Sequence, residues 1–269
     1  MFKSVTLGQF VPGDSFVHRL DPRTKLLATI ALIAIVFVVQ NFAGFALIAA
    51  FVLLTAMSTG VHLRFLFKGL KPIFFIIIFT FVLNLFFQTG GTVLLDLGFA
   101  RITTEGVRMA GFMALRLILL VISSQLLTLT TSPISLTDGL ETLLRPLQVV
   151  KFPAHEIAMM MSIALRFIPT LMDEADKIMK AQKARGANFE QGNAIQRAKA
   201  MIPLLVPLFV GAFRRAEELA LAMDARCYRG GAGRTRMNQL RYGVIDLIAA
   251  LALVALLGGV ILLNRFSPF

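Results

Sequence analysis

The sequence predicts an all-α, polytopic membrane protein with about five transmembrane helices and a cytoplasmic helical domain. Hydrophobic residues make up 57% of the 269 residues, and the mean hydropathy is +0.78. Soluble domains are roughly 45–50% apolar, so this composition is typical of an integral membrane protein. Several apolar stretches approach the roughly 20 residues that cross a bilayer. Basic residues are concentrated between these stretches, which indicates how the chain is oriented.

Five stretches are predicted to span the bilayer, and the first is preceded by a helix-start signal. Asp21 can cap free backbone N–H groups, and Pro22 at the first helical position loses no hydrogen bond. In chain order, the predicted spans are residues 30–40, 42–58, 72–87, 107–130 and 243–263. Gly90-Gly91 and the polar run to Glu105 are predicted to form an external loop between the third and fourth spans.

The distribution of lysine and arginine predicts the orientation of the spans. The N-terminal segment, the loop between the second and third spans, and the block 133–242 together hold 23 of the 27 lysines and arginines. The positive-inside rule places these three regions in the cytoplasm. Membrane topology therefore explains the net charge of +12, and nucleic acid is not an expected partner.

The block 133–242 is predicted to be helical in three parts. Leucines at helical spacing predict an amphipathic helix ending near Pro146. A second helical pattern covers 154–185 with an interruption at Pro169, and its acidic start and basic end favour a helix beginning near Asp173. The third pattern covers 194–226. Its apolar middle, with about a dozen apolar residues between 200 and 213, is too short for a straight crossing and is predicted to be buried or interfacial.

A stripe of small residues lies in the last part of the third pattern. Ala212, Ala216, Ala220 and Met223 follow one another at spacings of four, four and three. Small residues on one face allow helices to cross closely, so this stripe predicts a crossing between the second and third helices. An ordinary packed alanine seam explains the same pattern equally well.

The second and third helices end in sequences that echo each other. Residues 180–186 read KAQKARG and residues 221–227 read LAMDARC. Each places an arginine after an alanine at the end of an Ala-rich helical pattern. An arginine held at a helix end suits docking to an acidic groove on a partner protein.

Two further clusters give alternative hypotheses. Asp173, Glu174 and Asp176 could hold a metal ion in a membrane enzyme that acts on lipid or prenyl substrates, but no second acidic cluster matches them. Arg108 and Arg116 lie on one face of the fourth predicted span and could contact the substrate of a self-sufficient carrier, although packing and snorkelling explain them as well. The chain has three histidines and one cysteine, so no metal site is expected. No plausible Ser/His/Asp or Cys/His arrangement is present in the sequence, so no catalytic activity and no cofactor are expected.

Together these residues resemble the transmembrane (T) component of energy-coupling factor (ECF) transporters, a branch of the ABC transporters that imports vitamins and metal ions. Residues 18–26, HRLDPRTKL, look like the opening of that family, and residues 165–169, LRFIP, match a recurring family segment. The specific signature is a pair of Ala-Arg-Gly motifs. The first is intact as Ala184-Arg185-Gly186, whereas the second departs from the pattern as Ala225-Arg226-Cys227.

The resemblance implies a division of labour among several chains. It implies that residues 1–131 hold the N-terminal segment and spans one to four, 132–242 form a cytoplasmic coupling domain, and 243–269 hold the last span. The six motif residues would dock two separate ABC ATPase subunits, and a small S component would bind the micronutrient. A shared module that serves several S components is expected, in the cytoplasmic membrane of a prokaryote. The loss of glycine at Cys227 raises a question about how the second helix ends.

Overall fold

A computed structural model describes residues 10–61, 63–88, 90–96, 101–187, 189, 193–230 and 239–266. The chain divides into two compact units. One, which we call the apolar unit, comprises residues 8–142 and 239–269. The other, which we call the basic unit, comprises residues 143–238 together with 1–7.

The apolar unit is built from helices and one short hairpin. Its helices, in chain order, are α1 (Pro22–Val38), α2 (Phe42–Ser58), α3 (Leu63–Leu70), α4 (Phe74–Phe87), α5 (Thr104–Thr130), α6 (Pro133–Leu144) and α9 (Val244–Phe266). The predicted external loop contains two antiparallel strands, β1 (Val93–Asp96) and β2 (Arg101–Thr103), which were not predicted from the sequence. Residues 97–100 of that loop lie outside the described residues.

Helix α1 begins as its sequence predicts, and its start is tied to the start of α9. The Asp21 carboxylate accepts a hydrogen bond from the Arg23 backbone N–H at 2.9 Å. In turn, the Asp21 N–H donates to the Asp246 carboxylate at 2.9 Å. At the same end of the unit, the Lys25 ammonium donates to the Thr130 carbonyl at 2.9 Å. The starts of α1 and α9 therefore lie beside the end of α5.

The other ends of α1 and α9 are joined as well, which makes these two helices parallel. Asn264 donates to the Val38 carbonyl at 2.9 Å, and Asn41 donates to the Leu263 carbonyl at 2.9 Å. Between the two ends, α1 and α9 pack with α2 and α5 around a hydrophobic core. Its largest fully buried apolar side chains are Val36, Val39, Phe45, Ile48, Val52, Leu129 and Val260.

Many apolar side chains of the apolar unit point outward, as expected of a protein surrounded by lipid. Phe75, Phe87 and Leu54 are examples of exposed large hydrophobic residues. Among the described residues, α5, α9 and a helical stretch of the basic unit from Ile195 to Ala225 are long and apolar enough to cross a membrane. Arg64–Leu70 and Phe74–Phe87 pass that test as a pair bent by 60°, while α2 is shorter. The prediction of an all-α polytopic membrane protein is confirmed.

The basic unit consists mainly of two long helices. A 3-10 helix at Arg145–Val150 precedes α7 (Ala154–Ala184) and α8 (Ala194–Ala225). Helix α7 runs through Pro169, and α8 runs through Pro203 and Pro207. The predicted helix start near Asp173 is therefore wrong, because α7 begins nineteen residues earlier, at Ala154. A proline removes one hydrogen bond and bends a helix without necessarily ending it.

Candidate functional site

The first arginine motif forms the end of α7. Arg185 follows the last helical residue, and its backbone N–H still donates to the Ala181 carbonyl at 3.2 Å. Gly186 then turns the chain with φ of +90°, a left-handed conformation that glycine adopts without steric cost. The Gly186 N–H donates to the Lys183 backbone carbonyl, and the Ala187 N–H donates to the Gln182 backbone carbonyl, each at 3.0 Å. This pair of bonds is a Schellman cap, which satisfies carbonyls that the helix end leaves open.

The second motif forms the end of α8 with the same hydrogen bonds. Arg226 follows the last helical residue, and Cys227 takes the left-handed conformation with φ of +54°. The Cys227 N–H donates to the Asp224 backbone carbonyl at 2.8 Å, and the Tyr228 N–H donates to the Met223 backbone carbonyl at 3.1 Å. The question raised by the missing glycine is answered, because the helix ends in a Schellman cap with cysteine at the turn.

All six motif residues are exposed, so both guanidinium groups are accessible from solvent. They are Ala184, Arg185, Gly186, Ala225, Arg226 and Cys227. Among the described residues, no salt bridge to a carboxylate is recorded for Arg185 or Arg226. An exposed arginine at a helix end can form paired hydrogen bonds with a partner carboxylate. The partial negative charge at each helix end also favours a cation there.

A cavity of about 590 Å³ lies beside the second helix end. Met159, Ile163 and Arg166 line it from α7, and Leu219 and Met223 line it from α8. The residues that follow α8, from Arg226 to Gly230, complete its wall. The sequence alone does not predict this cavity, because no local pattern shows that the first half of α7 lies beside the end of α8.

A half-buried ion pair joins helices α7 and α8. Arg215 donates to the Glu174 carboxylate at 2.5 Å, and the two side chains are 30% and 29% exposed. Gly211 lies beside this pair, where a methyl group would stand 3.1 Å from a Glu174 oxygen, a tight contact that the glutamate would have to relieve by a small shift. The predicted alanine stripe is only partly correct. Ala212 is half-buried, but Ala216 and Ala220 are exposed, and the close approach is at Gly211.

The acidic cluster of the metal-enzyme hypothesis is divided by this ion pair. Glu174 binds Arg215, while Asp173 is exposed beside it. Within the described part of the chain, no group of three or more His, Cys, Asp or Glu side chains could hold a metal ion.

The two arginines of the carrier hypothesis make packing contacts within the apolar unit. Arg116 donates to the Val39 carbonyl at the end of α1 at 3.2 Å, and its guanidinium lies 5.6 Å from the centre of the Phe37 ring. Arg108 lies 4.0 Å from Glu105 and over the ring of Phe112. Both contacts are typical of arginines that stabilise helix packing.

Comparison with known proteins agrees with these features over nearly the whole chain. Residues 13–237 match the family model CbiQ, described as cobalt transport protein. A protein of Thermosediminibacter oceani named energy-coupling factor transporter transmembrane protein EcfT is 55% identical over 264 residues, which cover 98% of this chain and 99% of that protein.

Two other relatives carry the same name. The protein of Listeria innocua is 52% identical to this chain over 258 residues, which cover 96% of this chain and 97% of the Listeria protein. The protein of Bacillus subtilis is 49% identical to this chain over 256 residues, which cover 95% of this chain and 97% of the Bacillus protein.

Proposed function

This chain belongs to the family of energy-coupling factor transporter transmembrane proteins, and we propose that it joins two separate ABC ATPase subunits to a substrate-binding S component. It is the transmembrane energy-coupling component of such a transporter. In this proposal the chain itself hydrolyses nothing, and the energy comes from ATP hydrolysis in the partner subunits.

The observation that supports this proposal is the duplicated helix end. Two long helices of one unit end in the same cap, and each presents an exposed arginine. Two equivalent ends suit a pair of ATPase subunits, with one end for each. We assign docking to Ala184-Arg185-Gly186 on the first and Ala225-Arg226-Cys227 on the second. Each guanidinium would bind a carboxylate in a groove of its ATPase.

Movement of the ATPases would be transmitted through the crossing of α7 and α8. Because Glu174 and Arg215 tie the helices at one point, a displacement of one end shifts the other helix as well. The apolar unit would stay in the bilayer and contact the S component, whose reorientation delivers the micronutrient, a vitamin or a metal ion. The chain would lie in the cytoplasmic membrane of a prokaryote.

The orientation in this proposal follows from charge. The basic unit holds most of the lysines and arginines, so the positive-inside rule places it in the cytoplasm, where ATP and the ATPases are available. Both docking ends belong to this unit. The proposed coupling domain covers residues 132–242, between spans four and five, and includes both docking ends; the basic unit makes up its part from residue 143 to residue 238.

Purification of the complex tests the function directly. The chain, extracted from native membranes, is expected to bring two ATPase subunits and a small membrane protein with it. In proteoliposomes, this complex should accumulate substrate only when ATP is supplied on the side of the ATPases. Substrate uptake by the purified chain alone, without ATP, would contradict the proposal and favour the carrier. Metal-dependent lipid turnover that Asp173→Asn abolishes would favour the enzyme.

A further inference from the structure

The cavity beside the end of α8 contains more arginine than the docking motif accounts for. Arg166 enters from α7, and Arg226 and Arg229 from the end of α8. We propose that this cavity is a binding site for an acidic segment of one ATPase, in which Arg166 and Arg229 act together with Arg226. This inference rests on the proposed function and adds to it, because it assigns a second contact surface to one docking end only.

The charge balance of the cavity favours an anionic ligand. No aspartate or glutamate is among its described lining residues, and no salt bridge is recorded there for the three arginines. Cations gathered without carboxylates repel one another, so a bound carboxylate would relieve this repulsion.

The apolar wall defines the rest of the ligand. Met159, Ile163, Leu219 and Met223 are the large apolar residues that line the cavity together with the arginines. Such a wall accepts an aliphatic or aromatic side chain, and the two methionines can adjust their shape to it. The ligand class is therefore a protein segment that places an acidic side chain next to an apolar one.

The first helix end offers a different surface. A side chain added at Gly186 would meet no atom of the described residues within 4 Å, so within this part of the chain that side of the α7 cap is open. Arg185 can bind a carboxylate there, but the residues that form the cap supply no apolar wall. We therefore infer that the two ATPase positions are not equivalent, and that the position at α8 requires an acidic and apolar segment.

Binding of the ATPases to cavity variants tests this inference. The full chain is purified with its S component, and the retention of each ATPase subunit is measured over a range of ATPase concentrations. Arg166→Glu reverses a charge in the cavity away from the docking motif, and Met159→Trp fills the cavity without changing its charge. Lys199→Glu, at an exposed position near the start of α8, is the matched control for charge reversal.

The proposal predicts that Arg166→Glu and Met159→Trp each weaken the binding of one ATPase by about tenfold or more, since both block a charge-assisted contact. Lys199→Glu should bind like the unaltered chain. Retained S component and an unchanged elution profile would show that the variants fold. Unchanged ATPase binding in both folded cavity variants, with binding lost in Arg226→Glu, would overturn this inference and leave the proposed function standing. Unchanged binding in Arg226→Glu as well would contradict the proposed function itself.

Discussion

The ends of α7 and α8 have the same hydrogen bonds but reach them by different means. At the first end, Gly186 fits the left-handed turn, while Ala187 and Gln182 give the cap little apolar support. At the second end, Cys227 adopts a conformation that is about 1–2 kcal/mol less favourable for a residue with a side chain. There, Tyr228 and Met223 close the cap and both line the cavity.

This difference separates what the motif must supply from what it can vary. The arginine and the preceding alanine are present at both ends, and the cap geometry is preserved. The residue at the left-handed turn changes from glycine to cysteine without a change in the hydrogen bonds. A hydrophobic contact commonly accompanies such caps, and Tyr228 with Met223 is placed to provide it. The arginine is therefore the constant chemical feature, and the turn residue is adjustable.

Removing either arginine should have the largest effect. We expect Arg185→Ala and Arg226→Ala each to cost about 2–5 kcal/mol in ATPase binding, because a partner carboxylate is left unpaired. This corresponds to a dissociation constant raised about 30-fold to a few thousand-fold. Titration of the purified chain with ATPase measures it, and Lys180→Ala, an exposed position in the last turns of α7, serves as the control. An effect at only one end would show that the two ends differ in function as well as in their caps.

The modification rate of the single cysteine reports whether a partner covers the end of α8. Cys227 is exposed, and no other residue of the chain has a thiol. We expect a maleimide to modify it readily in the isolated chain and slowly when the ATPases are bound, because the partner covers the end of α8. Mass spectrometry of the intact chain measures the rate. Equal rates with and without ATPase would place the contact elsewhere.

The turn residues should respond differently to the same substitution. Gly186→Ala is expected to destabilise the α7 cap by about 1 kcal/mol, because a side chain is forced into the left-handed conformation. Cys227→Ala should cost almost nothing there, since that position already has a Cβ atom. Hydrogen exchange of the Ala187 and Tyr228 amides compares the two caps, with about fivefold less protection expected only at Ala187. Equal losses at both ends would mean that the turn residue does not determine cap stability.

The smallest expected effect is a gain in the stability of the α8 cap. Cys227→Gly should stabilise the α8 cap by about 0.5 kcal/mol, because relief of the left-handed strain is partly offset by the greater freedom of glycine in the unfolded chain. Protection of the Tyr228 amide should rise by roughly twofold. A decrease in protection would show that the cysteine side chain contributes packing that outweighs the strain.

Sequence patterns with a local cause were predictable in this protein. Asp21 and Pro22 mark the start of α1, and the stretch 42–58 coincides with α2, because capping and apolar composition act within one element. The ends of α7 and α8 were also predictable, since each arginine follows an Ala-rich helix. The docking role of these arginines remains a prediction.

Features that depend on neighbouring elements were not predictable. The charge order after Asp173 suggested a helix start, but charges that complement a helix dipole do not determine where the helix begins. Glu174 instead pairs with Arg215, forty-one residues away, and nothing local links the two. The cavity at the end of α8 and the approach at Gly211 likewise exist only because α7 and α8 are neighbours. A lone glycine in an Ala-rich helix was the one available signal.

Charge reversal at both ends together tests the central claim most directly. The variant Arg185→Glu/Arg226→Glu should insert into membranes and retain its S component, yet lose its ATPase subunits and ATP-driven uptake. Co-purification measured beside uptake in the same membranes gives both results. Wild-type amounts of ATPase together with full uptake would contradict the claim that the two arginine-ended helices are the docking points.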